Sequence, residues 1–366
     1  TPVTVASGVT SAARNGVLVK GGNHLEAMGG VDAVVFDKTG TLTKGELTVP
    51  DVVPVEGATE DEVLGYAGAL ESRSEHPIAD AVLETVEERD VSMPEVTGFE
   101  NITGKGVRGR VGDEVYYAGK PGVFEEMGFE LGGVFSDGGT AEPEHDVAVT
   151  DVVGDLQKDG KTVVVVGTED EILGFLGIAD EARPSAKKAV ENLHRMGVRP
   201  LVMLTGDNEG TARAVADELG IDEYRAELLP EDKVEAVEEL EEEHGDVAMV
   251  GDGVNDAPAL ATATVGVAMG AVGTDTAIET ADIALMGDDL SKLPYLYALA
   301  HKANSVIRQN IWTSLGVKLL LAVGVPFGYV SVAVAVVVGD MGMSLGVTGN
   351  AIRLSRMTPD SFLERD

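Results

Sequence analysis

A chain of 366 residues, 44% hydrophobic and 25% charged, carries enough apolar side chains for two or three buried cores, which excludes disorder as the default. Its 63 acidic residues against 27 basic ones leave a formal charge of −36. That excludes a general attraction to nucleic acid or anionic lipid, and it is a self-repulsion that concentrated salt would screen in a salt-adapted organism. Cys is absent, so neither a disulfide framework nor a thiolate metal site is available within the chain. Thr1 is preceded by no Met and followed by no signal-type apolar run, so the chain reads as beginning inside a longer protein. From there, short apolar runs alternate with amphipathic segments. Residues 31–36, 200–204 and 246–250 read as buried strands, and 185–196 and 231–243 as helices. This is the pattern of βαβ units in a parallel sheet. Residues 46–174, between the first run and the rest, form an insertion large enough to be a domain of its own. Within it, the Gly-, Asp- and Glu-rich stretch 132–160 reads as an exposed loop. Residues 311–352 hold only two ionisable side chains, Lys318 and Asp340, and are about twice as long as the roughly 20 residues of one membrane-spanning helix. Pro326-Phe327-Gly328-Tyr329 supplies a turn between two spans. Lys302 and Arg308 before them, and Arg353 and Arg356 after, place both ends in the cytoplasm as a hairpin.

Three of the apolar runs end in acidic residues within turn-like sequence: Asp37-Lys38-Thr39-Gly40-Thr41, Thr205-Gly206-Asp207 and Gly251-Asp252-Gly253-Val254-Asn255-Asp256. An open parallel sheet binds ligands outside the carboxyl ends of its strands. The topology therefore delivers several carboxylates, hydroxyls and free backbone N–H groups to one place. Carboxylates gathered there repel unless a cation sits among them, and Mg²⁺ shared with phosphate oxygens meets that need. Such a site suits phosphoryl transfer.

DKTGT, TGD and GDGVND, in this order and across nearly the whole chain, resemble the signature of the P-type ATPases, whose phosphorylation domain is haloacid-dehalogenase-like. The resemblance implies an α/β fold in which a parallel-sheet phosphorylation domain (30–45 and 175–300) carries an inserted α+β nucleotide-binding domain (46–174). A helix end and linker (1–29) precede it; two last transmembrane helices (301–356) and a cytosolic tail (357–366) follow. It further implies that Asp37 attacks the γ-phosphate of ATP to form an aspartyl-phosphate. Mg²⁺ would be held by Asp37, the Thr39 carbonyl and Asp252. Thr205, Gly206 and Lys233 would bind the phosphoryl oxygens, and Lys38, Asp207, Asn255 and Asp256 complete the catalytic set.

Ser74-Glu75-His76-Pro77 followed by Gly104-Lys105-Gly106 resembles the nucleotide-binding domain of the heavy-metal subfamily. This implies Glu71, His76, Pro77, Gly104 and Gly106 around the adenine of ATP, with the glycines letting backbone approach the base. The stretch from Gly16 to Glu26 is similar to the same subfamily. Asp340-Met341-Gly342-Met343-Ser344, continuing through Asn350 to Leu354, resembles the last helix of its zinc/cadmium/lead subgroup, implying Asp340 as a ligand of the transported ion and Lys318 as its counter-charge. A carboxylate favours a borderline divalent ion over Cu(I). The expectation is an ATP-driven exporter of Zn²⁺, Cd²⁺ or Pb²⁺, multi-pass in the cell membrane with its catalytic domains in the cytoplasm. It would work with an N-terminal half that carries an actuator domain and a Cys-Pro-Cys site. A Cu(I) pump and a soluble haloacid-dehalogenase-like phosphatase are the alternatives.

Overall fold

A computed structural model describes residues 2–74, 76–102, 105–131, 147–253, 256–270 and 280–359. The chain divides into two compact units, one built from residues 1–42, 183–206 and 219–366, the other from 43–182 and 207–218.

The first unit is organised on a seven-stranded sheet. Numbering strands along the chain, its order is β1 (Val17–Val19), β13 (Ile283–Leu285), β12 (Val265–Ala268), β11 (Val247–Gly251), β2 (Ala33–Asp37), β9 (Leu201–Leu204) and β10 (Glu223–Arg225). All pairs are parallel except β1 with β13. Every residue of β2, β9 and β11 is buried, which a parallel sheet requires when helices cover both faces, and which explains why these runs show no alternation. On one face Val35, Val202 and Met249 meet Ala236, Val237 and Leu240 of α9 (Pro230–His244) and Leu260 of α10 (Ala257–Thr262). α7 (Pro184–Arg195) opens on a proline at its first turn and buries Ala186, Ala189, Val190 and Leu193, an i, i+3, i+4, i+7 stripe.

A 33-residue helix, Lys292–Gly324, belongs to this unit, with its first turns mostly buried and the residues from Ile311 onward exposed or half-buried. After a turn comes the helical run Val332–Ser355, which contains one π-helical turn at Val337–Gly342. Hydrogen bonds tie these two to α1 (Pro2–Arg14), with Asn350 Nδ2 donating to Asn310 Oδ1 at 2.9 Å and Asn310 Nδ2 to Thr4 Oγ1 at 3.4 Å. Of the described helices, only Val332–Ser355 is long and apolar enough to cross a membrane. α2 (Gly22–Met28) packs Leu25 and Met28 inward.

The second unit is a six-stranded sheet with only antiparallel pairs, in the order β3 (Thr43–Pro54), β8 (Ile172–Ala182), β7 (Thr162–Gly167), β6 (Glu114–Gly119), β5 (Gly106–Val111) and β4 (Thr97–Ile102). α3 (Glu60–Glu71), opened by a capping box between Thr59 and Glu62, and α4 (Pro77–Glu88) bury Leu64, Leu70 and Val82 against one face. α5 (Pro121–Glu126) and α6 (Val147–Lys158) close the other through Phe124, Val153 and Leu156. The reading of 132–160 as an exposed loop is corrected here. Residues 132–146 lie outside the described residues, but 147–158 are helical, because Val152, Val153 and Leu156 fall on one helical face over the sheet. α8 (Glu209–Leu219) falls almost wholly in this unit, where Thr211 Oγ1 donates to the Gly160 carbonyl at 3.1 Å.

Candidate active site

β2 is a central strand, and its last residue, Asp37, pairs in register with Leu204 of β9, while Phe36 pairs with Val250 of β11. Because the three strands are parallel, the residues that follow them emerge on one edge. Thr205 comes directly after β9, with its N–H donating to Arg225 O at 3.0 Å and its carbonyl accepting from Leu228 N at 3.1 Å. A Cβ on Gly206 would stand 3.2 Å from the Leu228 carbonyl, so the backbone passes close there. Asp252 follows β11, and Asp256 stands at the start of α10.

Asp37 is 6% exposed and in contact with the Lys233 ammonium, delivered by the first turn of α9. Burial pushes the Asp37 carboxyl up. The Lys233 charge and hydrogen bond oppose this, and the Asp252 charge adds to it. Asp256, 2% exposed, accepts the Gly253 N–H on Oδ1 at 2.9 Å, while its Oδ2 lies against Gly251 without a donor among the described residues. Burial first, then the Asp37 and Asp252 charges, push it up to about 7. Lys38 and Thr41 are buried, Thr39 is exposed, and Thr41 Oγ1 has no partner among the described residues. Asn255 lies outside the described residues, and Asp207, next in the chain after Gly206, falls in the second unit.

No group of three or more Asp, Glu or His side chains among the described residues is gathered tightly enough to cage a metal alone. The donor set still fits Mg²⁺, which takes one or two carboxylates and leaves the remaining positions to water and phosphate. Asp37 and Asp252 supply hard oxygens. The orphaned oxygens of Asp256 and Thr41 mark a site whose polar groups are incomplete without a ligand.

The second unit holds a cleft of about 150 Å³ between the α3–α4 turn and strands β4 to β7. Glu71 and His76 line it, and so does Gly106. Glu71 is 6% exposed, with burial pushing its carboxyl up and Oε2 finding no donor among the described residues. His76 accepts the Ile78 N–H on Nδ1 at 3.2 Å, so a neutral ring carries its proton on Nε2 and can donate outward. Pro77 opens α4. Gly104 and Glu75 lie outside the described residues. A Cβ on Gly106 would run into the Ala118 carbonyl of β6, so this glycine is required by strand packing. Lys105, which lies inside the Gly104-Lys105-Gly106 motif without a role assigned to it, and Lys120, which no motif marks, also line the cleft.

Lys318 and Asp340 are both exposed on the C-terminal helices, Asp340 inside the π-helical turn, and no ion pair joins them. Sequence reasoning also passed over Arg183, whose Nη2 donates to the Gly40 carbonyl at 3.1 Å across 143 positions. Pro184 after it marks a helix start, but nothing local indicates that partner.

Residues 31–264 match the family model of haloacid dehalogenase-like hydrolases. Over 360 residues the chain is 44% identical to a probable cadmium-transporting ATPase of Alkalihalophilus pseudofirmus, covering 98% of this chain and 48% of that protein. A zinc-transporting PIB-type ATPase in its E2.Pi state superposes with a TM-score of 0.84 at 38% identity, covering 97% of this chain and 55% of that one. The catalytic domain of a CPx-ATPase superposes with a TM-score of 0.57 at 32% identity, covering 79% of this chain and 98% of that one. The chain spans about half the length of the curated relatives it matches.

Proposed function

From a chain that belongs to the haloacid dehalogenase-like hydrolases and, within them, to the heavy-metal-translocating P-type ATPases, we propose a role as the nucleotide-binding, phosphorylated and C-terminal membrane part of an ATP-driven exporter of a divalent heavy-metal ion. The observation that carries this reading is the buried Asp37–Lys233 contact at the carboxyl end of a central parallel strand, with the Asp252 charge close enough to raise the proton affinity of both Asp37 and Asp256. Lys233 holds Asp37 Oδ1, which leaves the other carboxylate oxygen to attack the γ-phosphorus of ATP as the bond to ADP breaks. The same ammonium offsets the charge that develops on the transferring oxygens. Thr205 and the Gly206 backbone bind those oxygens from the β9 side. Mg²⁺ held by Asp37, Asp252 and the Thr39 carbonyl would neutralise phosphate charge when bound.

In the second unit, the cleft binds the adenine. Glu71 Oε2, without a donor among the described residues, suits the exocyclic amine, and the Nε2–H of His76 supplies a further donor. The exposed apolar helix Val332–Ser355 supports a membrane location. The outward Leu319, Leu320 and Trp312 of the preceding helix support a second span beside it. Asp340, an ionisable residue in a span and within a π-helical turn, is the candidate ligand of the cargo ion, with zinc and cadmium the preferred candidates. A soluble phosphatase leaves these helices unexplained.

The test is acid-quenched labelling of the whole pump with γ-labelled ATP, Mg²⁺ and zinc. Hydroxylamine-sensitive label should appear in the wild type and vanish in Asp37→Asn. Label persisting in that variant would place the phosphorylated group elsewhere.

A further inference from the structure

We propose that Arg183 is a positioning residue for phosphorylation of Asp37, acting through the carbonyl of Gly40. The proposal rests on Asp37 being the phosphorylated group. After Asp37 the backbone leaves regular geometry, with Thr39 at φ −75°, ψ 128° and Gly40 at φ +76°, ψ −11°. Gly40 therefore decides where the preceding Thr39 carbonyl points and how the Asp37 end of the loop meets the strand edge. A glycine at positive φ has no side chain to hold it, so its conformation must be pinned from outside.

Arg183 supplies that pin twice. Its Nη2 donates to the Gly40 carbonyl at 3.1 Å, and its own backbone N–H donates to the Leu42 carbonyl at 2.8 Å. From the other side, Asp252 Oδ2 lies 3.3 Å from where a Cβ on Gly40 would stand. The Gly40 peptide is thus held between a permanent cation and one of the carboxylates proposed to bind Mg²⁺. The guanidinium suits this task because it stays charged and its planar fork fixes direction, which a lysine ammonium on a flexible stem does not. Arg183 is also the residue at which the chain re-enters the first unit after β8. The fork and the backbone bond therefore fasten the start of α7 to the loop that carries the nucleophile.

A loop released at Gly40 would still bind nucleotide in the cleft of the second unit but present Asp37 and the Thr39 carbonyl less accurately. Displacements of about 1 Å in a reacting group cost up to roughly 100-fold in rate. In the whole pump, Arg183→Ala should slow formation of the hydroxylamine-sensitive phosphoenzyme by roughly 10- to 100-fold. It should also raise the Mg²⁺ concentration for half-maximal labelling, with the affinity for a non-hydrolysable ATP analogue unchanged. Arg183→Lys should recover part of the rate. Phosphorylation rate and Mg²⁺ dependence in Arg183→Ala that match the wild type would overturn the proposal. So would a loss of analogue binding and of thermal stability in step with the rate, in both variants, since that is what a merely structural arginine gives. Persistent label in the Asp37→Asn control would instead remove the reading of Asp37 on which this one stands.

Discussion

Asp37 and Asp256 are both carboxyls that burial pushes toward the protonated form, but only Asp37 touches a cation. The Lys233 charge opposes the effect of burial at Asp37, whereas Asp256, with no such partner among the described residues, is pushed up to about 7. Its folded value lies above the unfolded 3.8. Its contribution to stability is therefore fully present below the unfolded value and lost as pH rises through about 7. In metal-free buffer the thermal midpoint should fall across that interval, and Asp256→Asn, which cannot ionise, should flatten the slope. Scanning calorimetry at several pH values checks this; an unchanged slope in the variant would mean that Asp256 is already ionised in the fold. The acidity of GDGVND was legible in the sequence, but protonation depends on depth and neighbours, which motif spacing does not contain.

In the second unit, β5 and β6 approach so closely at Gly106 and Gly119 that a Cβ on Gly119 would lie 2.6 Å from the Lys105 carbonyl. The two glycines are register partners, and the wall of the cleft depends on both. Gly106→Ala should therefore destabilise this unit by about 1–3 kcal/mol, the usual cost of overpacking, and weaken nucleotide-analogue binding together with it. Denaturant unfolding followed beside analogue titration checks the pair. An alanine variant of wild-type stability and reduced binding would assign the glycine to the ligand alone. The sequence reading of this glycine rested on close approach to a base, whereas the structure adds a packing requirement that strand pairing across β5 and β6 creates through Gly119. The helix α6 escaped notice for a related reason: the Gly- and acid-rich residues before it mask a short stripe whose apolar partners, Phe124 and Phe175, are distant in sequence.

The proposed transport role requires the C-terminal helices to respond to an ion, and Lys318 and Asp340 are the Lys, Arg, Asp or Glu residues within the apolar stretch 311–352. No ion pair joins them in the structure, so on the proposed reading Asp340 would meet its cargo without displacing the lysine. In the whole pump, Asp340→Ala should abolish zinc- and cadmium-stimulated ATP hydrolysis while analogue binding persists. Vesicle uptake beside hydrolysis reads both, and normal metal-stimulated turnover in the variant would remove Asp340 from the ion path. What the sequence determined by itself was local in origin. Unbroken apolar runs declared the buried parallel strands, the acidic turns declared which residues gather at the strand ends, and the long apolar C-terminal stretch declared the exposed apolar helix Val332–Ser355. Each follows from residue order over a few turns or strands. Only the tertiary structure decided which groups meet: Lys233 with Asp37 across 196 positions, Arg183 with Gly40, and Asp256 buried beside two other carboxylates. Those outcomes depend on which strands lie side by side and how deeply their ends are covered, and no local pattern encodes either.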